Sequence, residues 1–387
     1  MCHDQNPLLA VGAAMNADGR MRLAVQRQGG RLVGVAIDNP RPQAAQVLVG
    51  RTVEEALKLV PALFSLCSRA QAVAVTAACV AAGASGVARA EPWAEERALA
   101  TEAAQENLWR LMLDWPALFG HQPRRERFAE LHRRLARVGE GRAAYELGGD
   151  LLDLVAVELL AGFFRTTREP SGLREFIERA RRCGTIGAAL ADLIEMGSST
   201  PEGEAVPLLP ALAAGAWAAE LGGIPSADFC AAPMLFGRAH ETGVLARHAD
   251  SMMVSNLLTQ RHRIAARLFA RVVDLSDCAS RLRHPLASDM PKLVDAAPMG
   301  DGAGLACVET ARGMLMHAVR LDGDRIAEYA IVAPTEWNFH AQGAFVCEAT
   351  GWDAPSDEAA MLRLKALALS LDPCIEYDIA IEDVSDA

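Results

Sequence analysis

One segment constrains the fold of this chain more than any other: residues 314–332 carry the pattern of a β-hairpin. Apolar side chains alternate along its first half, an Asp322–Gly323 pair follows, and β-branched residues return from Ile326 to Val332. An Asp-Gly pair between two such runs is a strong signal for a tight hairpin turn. Hairpin strands run side by side, so Arg312 and the Pro334–Thr335 pair, which flank the hairpin, are predicted to be neighbours.

The rest of the chain is mostly helical in pattern, with one further hairpin near the N-terminus. Residues 20–38 alternate polar and apolar side chains on both sides of Gly29–Gly30 and predict that hairpin. Thr52 is expected to cap a helix, and Pro61 to start or kink the helix that bears Cys67. Apolar periodicity predicts further helices over 94–115, 147–164, 172–182, 185–196, 240–275 (in one or two pieces) and 358–371.

These patterns predict an α+β, mostly helical fold, in which a central helix bundle is flanked by small β-hairpin sheets. We expect one domain over residues 1–387, with the hairpin at 20–38, a helical body at 52–275 and a C-terminal, pocket-forming part at 300–387. Segments 197–210 and 221–238 contain Pro, Gly and Ser and predict loops.

Composition and charge exclude several classes of protein. The net charge of −11 leaves no basic footprint for nucleic acid. Nine cysteines are scattered without a C-x-x-C pair, which argues against a disulfide framework or a zinc knuckle and predicts a reducing, cytoplasmic setting. No basic and apolar leader is visible at the N-terminus. The uncharged stretch Ala72–Ala88 is too weakly apolar for a membrane span and predicts a buried helix.

Five short motifs, in this order, carry a family resemblance. They are G-R-T-V-E-E-A at 50–56, E-T-G-V-L-A-R at 241–247, E-T-A-R-G-x-L-x-H at 309–317, A-P-T-E-W-N at 333–338 and D-P-C at 372–374. Together they resemble the large subunit of nickel–iron hydrogenases, whose active-site pocket is built from the last three stretches. The resemblance implies a large-subunit-like fold.

The departures from that family are as informative as the matches. Family members carry two C-x-x-C pairs whose four thiolates hold nickel and iron, whereas this chain keeps Cys67 and Cys374 and has Phe64 and Tyr377 at the partner positions. Gln71 stands where the family has a histidine. The family's terminal histidine falls at Ala380, and the glutamate of its N-terminal proton path falls near Asp18.

With only two of the four family cysteines present, the chain resembles the hydrogenase accessory proteins of the HupK/HoxV type. That resemblance implies a non-enzymatic maturation scaffold that carries the Fe(CN)2(CO) fragment of the nickel–iron site, without nickel, before it passes to the large subunit. It implies as partners a HypC-type chaperone, a HypD-type iron-ligand assembly protein and a hydrogenase large subunit.

In this reading Cys67 and Cys374 are the metal ligands, because a soft iron prefers thiolates. Arg312, Pro334 and Thr335 bind the fragment, since buried cyanide nitrogens need hydrogen-bond donors. Phe64 or Leu66 contributes an apolar wall for carbonyl. Replacing Arg312 by Met or Thr335 by Val is then expected to lower iron-ligand occupancy and leave folding nearly unchanged.

Simpler readings of the same residues remain open. Cys67 can be a small core residue, Arg312 a surface strand residue, and Thr335 and Asn338 only caps. The histidines at 240, 248, 317 and 340 are expected to be hydrogen-bonded structural groups, and the arginines at 124–134 a solvated helix face. Cys2 is expected to lie in a disordered terminus, although loss of Met1 would leave it as a reactive N-terminal cysteine.

Three other functions also remain open. A catalytic large subunit would need cysteines at positions 64 and 377. A relative of the quinone-site subunit of respiratory complex I would make no use of Cys67 or Cys374. A catalytically inactive chaperone or interaction module would bind no metal at all.

Overall fold

A computed structural model describes residues 19–40, 44–64, 66–161, 172–198, 205–288 and 290–384. Its strands are β1 Met21–Gln28, β2 Arg31–Asp38, β3 Val294–Gly300, β4 Ala303–Thr310, β5 Gly313–Asp322, β6 Arg325–Val332 and β7 Tyr377–Asp383. The expectations for Cys2 and Asp18 lie outside the described residues.

Helices make up most of the described chain. They are α1 Val53–Leu63, α2 Ser68–Ala81, α3 Pro92–Trp109, α4 Trp115–Leu118, α5 Arg125–Ala136, α6 Arg142–Asp153, α7 Leu173–Ala180, α8 Gly184–Glu195, α9 Ala214–Leu221, α10 Ala227–Ala231, α11 Val244–His248, α12 Met252–Thr259, α13 Arg263–Arg283, α14 Pro334–Asn338, α15 Ala344–Ala349 and α16 Asp357–Leu371. A short 3-10 helix, Ala44–Leu48, and two π-helical segments, Arg110–Asp114 and Leu154–Leu159, complete them.

The N-terminal hairpin is confirmed, and it belongs to a larger sheet than expected. β1 and β2 pair antiparallel on either side of Gly29–Gly30, and β7 adds to the free side of β1 in parallel. A parallel strand can come from a distant part of the chain, which joins the two ends of the sequence here. The inner side chains of β1, Met21, Leu23 and Val25, are fully buried in the main core.

The hairpin predicted over 314–332 forms β5 and β6, and β3 and β4 extend it to a four-stranded antiparallel sheet. Both faces of the two central strands, β4 and β5, are buried over most of their length. Leu315 and Val319 pack under α1 and α2, whereas Met316 and Ala318 pack on the opposite face with Trp337. Successive side chains of β5 therefore point into two different cores, and neither face of this strand is turned to solvent over most of its length.

The segment from Thr52 to Ala81 forms two helices. Thr52 caps α1 as predicted: its Oγ1 accepts from the Glu55 N–H and its own N–H donates to the Glu55 carboxylate. The prediction for Pro61 was wrong, because Pro61 lies inside α1 and Cys67 is the N-terminal cap residue of the next helix, α2. α2 packs closely on β4, where a Cβ added at Gly304 would lie 2.3 Å from the Ala82 nitrogen.

The helical body surrounds α13, which packs against α3 and α6 and is buried along most of its length. The predicted boundaries need correction here. The 240–275 stretch forms three helices, α11 to α13, and the last one runs on to residue 283. The four-stranded sheet begins at residue 294. The predicted loop at 221–238 contains the short α10. The helix predicted over 147–164 begins at Arg142 and, after a π-helical segment, ends at Leu159.

The remaining helix predictions, at 172–182, 185–196 and 358–371, are confirmed to within two residues at each end. The 94–115 segment forms α3 and continues through a π-helical turn into α4. The uncharged stretch at 72–88 includes most of α2, Ser68–Ala81, which is a largely buried helix as expected. Across the described ranges, no helix is both long enough and apolar enough to span a membrane.

Candidate two-cysteine pocket

Cys67 and Cys374 come from opposite ends of the sequence and lie close together in the structure. Cys67 precedes α2, and Cys374 follows α16 by three residues. Burial, with a smaller contribution from the neighbouring Cys374, raises the pKa of the Cys67 thiol to about 12. The Gln71 side-chain amide, one helical turn along α2, donates to the Cys67 sulfur at 3.6 Å. At neutral pH Cys67 is therefore a protonated thiol in contact with one amide donor.

Thr335 lies against Cys374, as the sequence predicted. Pro334 begins α14 and Thr335 follows it, with only 2% of Thr335 exposed. The Thr335 Oγ1 accepts from the Cys374 N–H at 3.3 Å, and the same oxygen lies 3.3 Å from the Cys374 sulfur. Thr335 thus holds the backbone and the thiol of Cys374 at one point, rather than acting as a helix cap.

Arg312 reaches the same place from the turn between β4 and β5. Its residue is 5% exposed, so the alternative of a surface strand residue is wrong. An Nη2 hydrogen donates to the Glu106 carboxylate at 2.6 Å, and Nε lies 3.5 Å from an Asp372 oxygen. Burial lowers the pKa of Arg312, but the nearby Asp372, Glu106 and Cys374 outweigh burial and hold the pKa above its usual value. Arg312 is a permanent cation beside the two thiols.

Asp372 is the centre of a buried group of arginines that the sequence did not predict. It caps the C-terminal end of α16 in the left-handed region, with φ of 52°, two residues before Cys374. Its oxygens lie 2.8 Å from Arg110 and 3.1 Å from Arg271. Burial alone would raise the pKa of Asp372, but Arg110, Arg312 and Arg271 hold it far below the usual range. The ion pairs between Asp372 and these arginines hold the backbone in position two residues before Cys374.

A pocket opens on the Cys67 side of this arrangement. It holds about 240 Å3 of empty space, open solvent at its mouth included. Its lining combines apolar and charged side chains: Leu66, Cys67, Ala70, Leu99, Glu102, Ala103, Glu106, Glu309, Thr310, Ala311 and Arg312. Of the two predicted wall residues, Leu66 lines the pocket, whereas Phe64 packs against the core beneath the sheet.

Glu102 and Glu106 lie one turn apart on α3 and form the acidic side of the pocket. Glu102 accepts hydrogen bonds from the backbone N–H groups of Arg69 and Ala70, in the first turn of α2. Burial raises the pKa of Glu102 to about 7, against the lowering effect of those two donors. Neither glutamate was singled out from the sequence. Their spacing of four residues on one helix face was the available signal.

Gln71 and Tyr377 stand where the family has a histidine and its last cysteine. Gln71 is buried, and the Tyr377 that stands at the last cysteine position begins β7 beside Met21 of β1. Burial raises the pKa of the Tyr377 hydroxyl. The part of the chain that the structure describes contains no group of three or more His, Cys, Asp or Glu side chains arranged to hold a metal ion. The ligands that the sequence predicted here, Cys67 and Cys374, are two thiols, a set that would suit only a metal that brings further ligands of its own.

The other residues that were named from the sequence, four histidines, Asn338 and the arginines of 124–134, make structural contacts. His248 contacts the Asp274 carboxylate at 3.0 Å, His317 contacts the Tyr329 hydroxyl at 2.7 Å, and His240 contacts the Arg238 carbonyl at 3.0 Å. His340 accepts from the Gln342 N–H at 2.9 Å. Asn338 Oδ1 accepts from the Thr242 N–H. The arginines of 124–134 lie on or beside α5 and are mostly ion-paired near the surface.

Comparison with known proteins shows which fold and which family this chain resembles. The sequence pattern of the family described as nickel-dependent hydrogenase matches residues 230–375. A [NiFeSe] hydrogenase variant from Desulfovibrio vulgaris Hildenborough superimposes with a TM-score of 0.59 at 14% identity, covering 89% of this chain and 93% of that chain. At that identity the similarity concerns the fold, and it confirms the predicted large-subunit-like architecture.

Two curated relatives match over nearly their full lengths. The hydrogenase expression/formation protein HupK of Rhizobium leguminosarum bv. viciae is 30% identical over 382 residues, covering 91% of this chain and 94% of HupK. The hydrogenase expression/formation protein HoxV of Cupriavidus necator is 33% identical over 378 residues, covering 90% of this chain and 93% of HoxV. The chain therefore belongs to the HupK/HoxV family of hydrogenase expression/formation proteins.

Proposed function

We propose that this protein is a hydrogenase maturation scaffold that holds an Fe(CN)2(CO) fragment between Cys67 and Cys374 before the fragment passes to a hydrogenase large subunit. The observation that carries the proposal is the convergence of two thiols, a buried guanidinium and a threonine hydroxyl from four distant parts of the chain. The names of the relatives support a maturation role.

The thiols suit the metal part of this cargo. Iron that carries cyanide and carbonyl is soft and prefers thiolate ligands, and three of its positions are already taken by its own diatomic groups. Two protein thiolates then suffice to hold it. Because Cys67 is a protonated thiol when no metal is bound, its binding to iron releases a proton, and loading is favoured as the pH rises.

The surroundings suit the diatomic ligands. A cyanide nitrogen inside a protein needs a hydrogen-bond donor, and the Arg312 Nε is a buried donor without a hydrogen-bond partner among the described residues. The Thr335 hydroxyl is the second polar group at the thiols. Carbonyl accepts hydrogen bonds poorly, and Leu66 and Leu99 offer it an apolar lining. The arrangement supports binding and protection of the fragment rather than turnover of hydrogen.

Infrared spectroscopy of the anaerobically purified protein, co-expressed with the HypC-type and HypD-type proteins, tests this function. We expect cyanide and carbonyl stretching bands together with bound iron, and loss of both in Cys67→Ser and Cys374→Ser. Cys230→Ser is the matched control, because Cys230 is also a half-buried thiol but lies on α10, away from the pocket.

The same spectra separate the alternatives. Absence of the bands from the wild-type protein under these conditions would favour a chaperone with no bound metal. Bands that persist in both serine variants would place the fragment elsewhere. Bound nickel with hydrogen-dependent dye reduction would instead identify a catalytic subunit.

A further inference from the structure

A second pocket lies next to the two-cysteine pocket, and Arg312 lines both of them. It holds about 210 Å3 of empty space, open solvent at its mouth included. Its walls are polar although they are buried: each of the following lining residues is at most 5% exposed, namely Glu241, Arg267, Arg271, Arg312, Asn338 and Ser370. Space with polar walls is normally filled by water or by a polar ligand, whereas dry cavities are apolar. We call this space the arginine pocket.

The carboxylate of the arginine pocket is already fully engaged. Among the described residues that line the pocket, Glu241 alone is acidic. Arg267 donates to both of its oxygens, and Arg263 donates to one of them as well. Arg267 uses its remaining donors on Glu348 and Ser370. The lining therefore has no free carboxylate for a metal ion or an amine.

Arg271, by contrast, has unused hydrogen-bond donors. Its Nη1 donates to Asn107 Oδ1 at 3.0 Å. Its Nη2 lies 3.1 Å from Asp372 Oδ2, but this contact is an ion pair without a hydrogen bond, because Asp372 Oδ2 has no hydrogen-bond partner among the described residues. A guanidinium carries five N–H groups, so most of those on Arg271 are unused. The Asn338 amide donates only to the Leu371 carbonyl, at 3.5 Å. The side chains of the pocket thus offer donors rather than acceptors.

The positive charge of Arg271 is only partly compensated. Its one carboxylate neighbour at ion-pair distance, Asp372, is shared with Arg110 at 2.8 Å and lies 3.5 Å from Arg312. Burial lowers the pKa of Arg271, and the positive charges of Arg110 and Arg312 add to that effect, so Asp372 does not restore the usual value. The pKa of the neighbouring Arg267 is instead raised, because two carboxylates outweigh its burial. A negative charge in the pocket would therefore stabilise Arg271.

We propose that the arginine pocket binds a small carboxylate anion of the size of formate, held by the Arg271 guanidinium and the Asn338 amide. An anion fits the unused donors because its oxygens only accept hydrogen bonds, and two oxygens on one carbon match the planar fork of a guanidinium. The size follows from the space, which is smaller than the roughly 300 Å3 at which ordinary small-molecule sites begin. Binding of this anion does not require the iron fragment, so it can be measured on protein made without maturation partners.

Thermal unfolding of the iron-free protein in sodium formate, compared with sodium gluconate at equal ionic strength, tests the proposal. Gluconate carries the same charge but is too large for the pocket. With a dissociation constant near about 1 mM, formate at about 50 mM should raise the Tm by at least about 2 °C over gluconate. We call this difference the formate increment, and because it is taken within one variant, it does not depend on that variant's own stability.

Three variants assign the formate increment to the pocket. Arg271→Met should abolish it, because the main donor is lost. Asn338→Asp should abolish it as well: the aspartate keeps an acceptor for the Thr242 N–H but adds a negative charge that repels formate. Arg281→Met is the matched control and should keep the increment. Arg281 is a buried arginine of the same helix that pairs with Glu96 and is absent from the described lining of either pocket.

Equal Tm values of the wild type in formate and gluconate would overturn the proposal and leave water as the occupant. A formate increment that persists in both Arg271→Met and Asn338→Asp would place the anion elsewhere and refute it equally. Loss of the increment in Arg281→Met would show that the variants act through the whole fold, which would also refute the assignment. The cysteine variants are independent of these results, since Cys67→Ser should lose the iron bands and keep the full formate increment.

Discussion

Replacing Arg312 by Met is expected to destabilise the fold substantially, contrary to the expectation from the sequence alone. Arg312 is the ion-pair partner of Glu106 at 2.6 Å and lies 3.5 Å from Asp372, and all three residues are buried. Removing one partner of a buried pair leaves an uncompensated charge, which costs about 3–5 kcal/mol. Asp372 keeps Arg110 and Arg271, so most of the loss falls on Glu106. We therefore expect the lower end of that range, about 3 kcal/mol.

Urea unfolding at pH 7.5, followed by circular dichroism, measures this loss. Arg312→Met leaves the Glu106 carboxylate without its partner, and the double variant Arg312→Met/Glu106→Gln removes that charge as well. The stability lost in the double variant should therefore be smaller than the sum of the losses in the two single variants, by at least about 1 kcal/mol. A loss below about 1 kcal/mol for Arg312→Met, or strict additivity in the double variant, would refute the buried-pair argument. Iron loading of Arg312→Met must consequently be compared per folded protein.

Three further changes test other parts of the structure. Thr335→Val removes the acceptor of the Cys374 N–H and should cost about 1–2 kcal/mol while lowering cyanide and carbonyl band intensity; unchanged bands per folded protein would contradict its role. Phe236 has a φ of 52° before Gly237 in a two-residue turn, so Phe236→Asn should stabilise by about 1 kcal/mol, measured as a higher Tm; an unchanged or lower Tm would count against strain there. Burial lowers the pKa of His317 to about 3. The contribution of neutral His317 to the free energy of unfolding is complete above the unfolded pKa near 6.5 and is lost as the pH falls towards 3. Between pH 7.5 and 5.0 the free energy of unfolding should therefore drop by about 2 kcal/mol more in the wild type than in His317→Gln. Equal drops would show that His317 titrates normally.

The hairpin and the main helices were predictable because their signals are local. An Asp-Gly turn between β-branched runs needs no information from the rest of the chain, and the Thr52–Glu55 cap is complete within four residues. β3 and β4 lack such a signal. Their segment is rich in Ala and Gly and contains Pro298, and it becomes strand through pairing with β5 and close packing of Gly304 under α2.

β7 is a different case, because its sequence did carry a signal. Tyr377, Ile379 and Ile381 alternate with polar or small residues, and these three side chains are the less exposed ones in the structure. What the sequence does not show is the partner. β7 pairs in parallel with β1, from the other end of the chain, and no local pattern specifies such a pairing.

In the candidate site, too, some residues were predictable from the sequence and others were not. Cys67, Cys374, Arg312 and Thr335 lie together as the order of the motifs predicted, although their roles toward iron stay a prediction. The charges that hold them, Glu106, Arg110, Arg271 and Asp372, were not predicted as a group. Charged residues on helices are normally solvated, so the sequence contains no signal that Glu106, Arg271 and Asp372 are buried and Arg110 half-buried. Their burial follows from the mutual pairing that only the assembled fold provides.

That pairing leads to one more prediction, for Arg312→Lys. The Arg312 Nε makes no hydrogen bond within the described ranges, although an Asp372 oxygen lies 3.5 Å away, and a buried donor with no partner at all costs about 1–3 kcal/mol, so the cost here is below that range. A cyanide nitrogen at Nε would remove that cost, so the fold stores part of the free energy of binding in an unsatisfied donor. Lysine keeps the charge that Glu106 and Asp372 need but lacks the planar fork.

Arg312→Lys should therefore lose less stability than Arg312→Met, yet still lose affinity for the fragment and shift the cyanide bands, because their hydrogen bonding changes. The comparison separates two roles of one residue: the charge holds the pocket together, and the geometry of the guanidinium recognises the cargo. Cyanide bands at the wild-type position in a stable Arg312→Lys protein would show that the cation only supports the fold, and recognition of cyanide would then have to come from Thr335 and the backbone around Pro334.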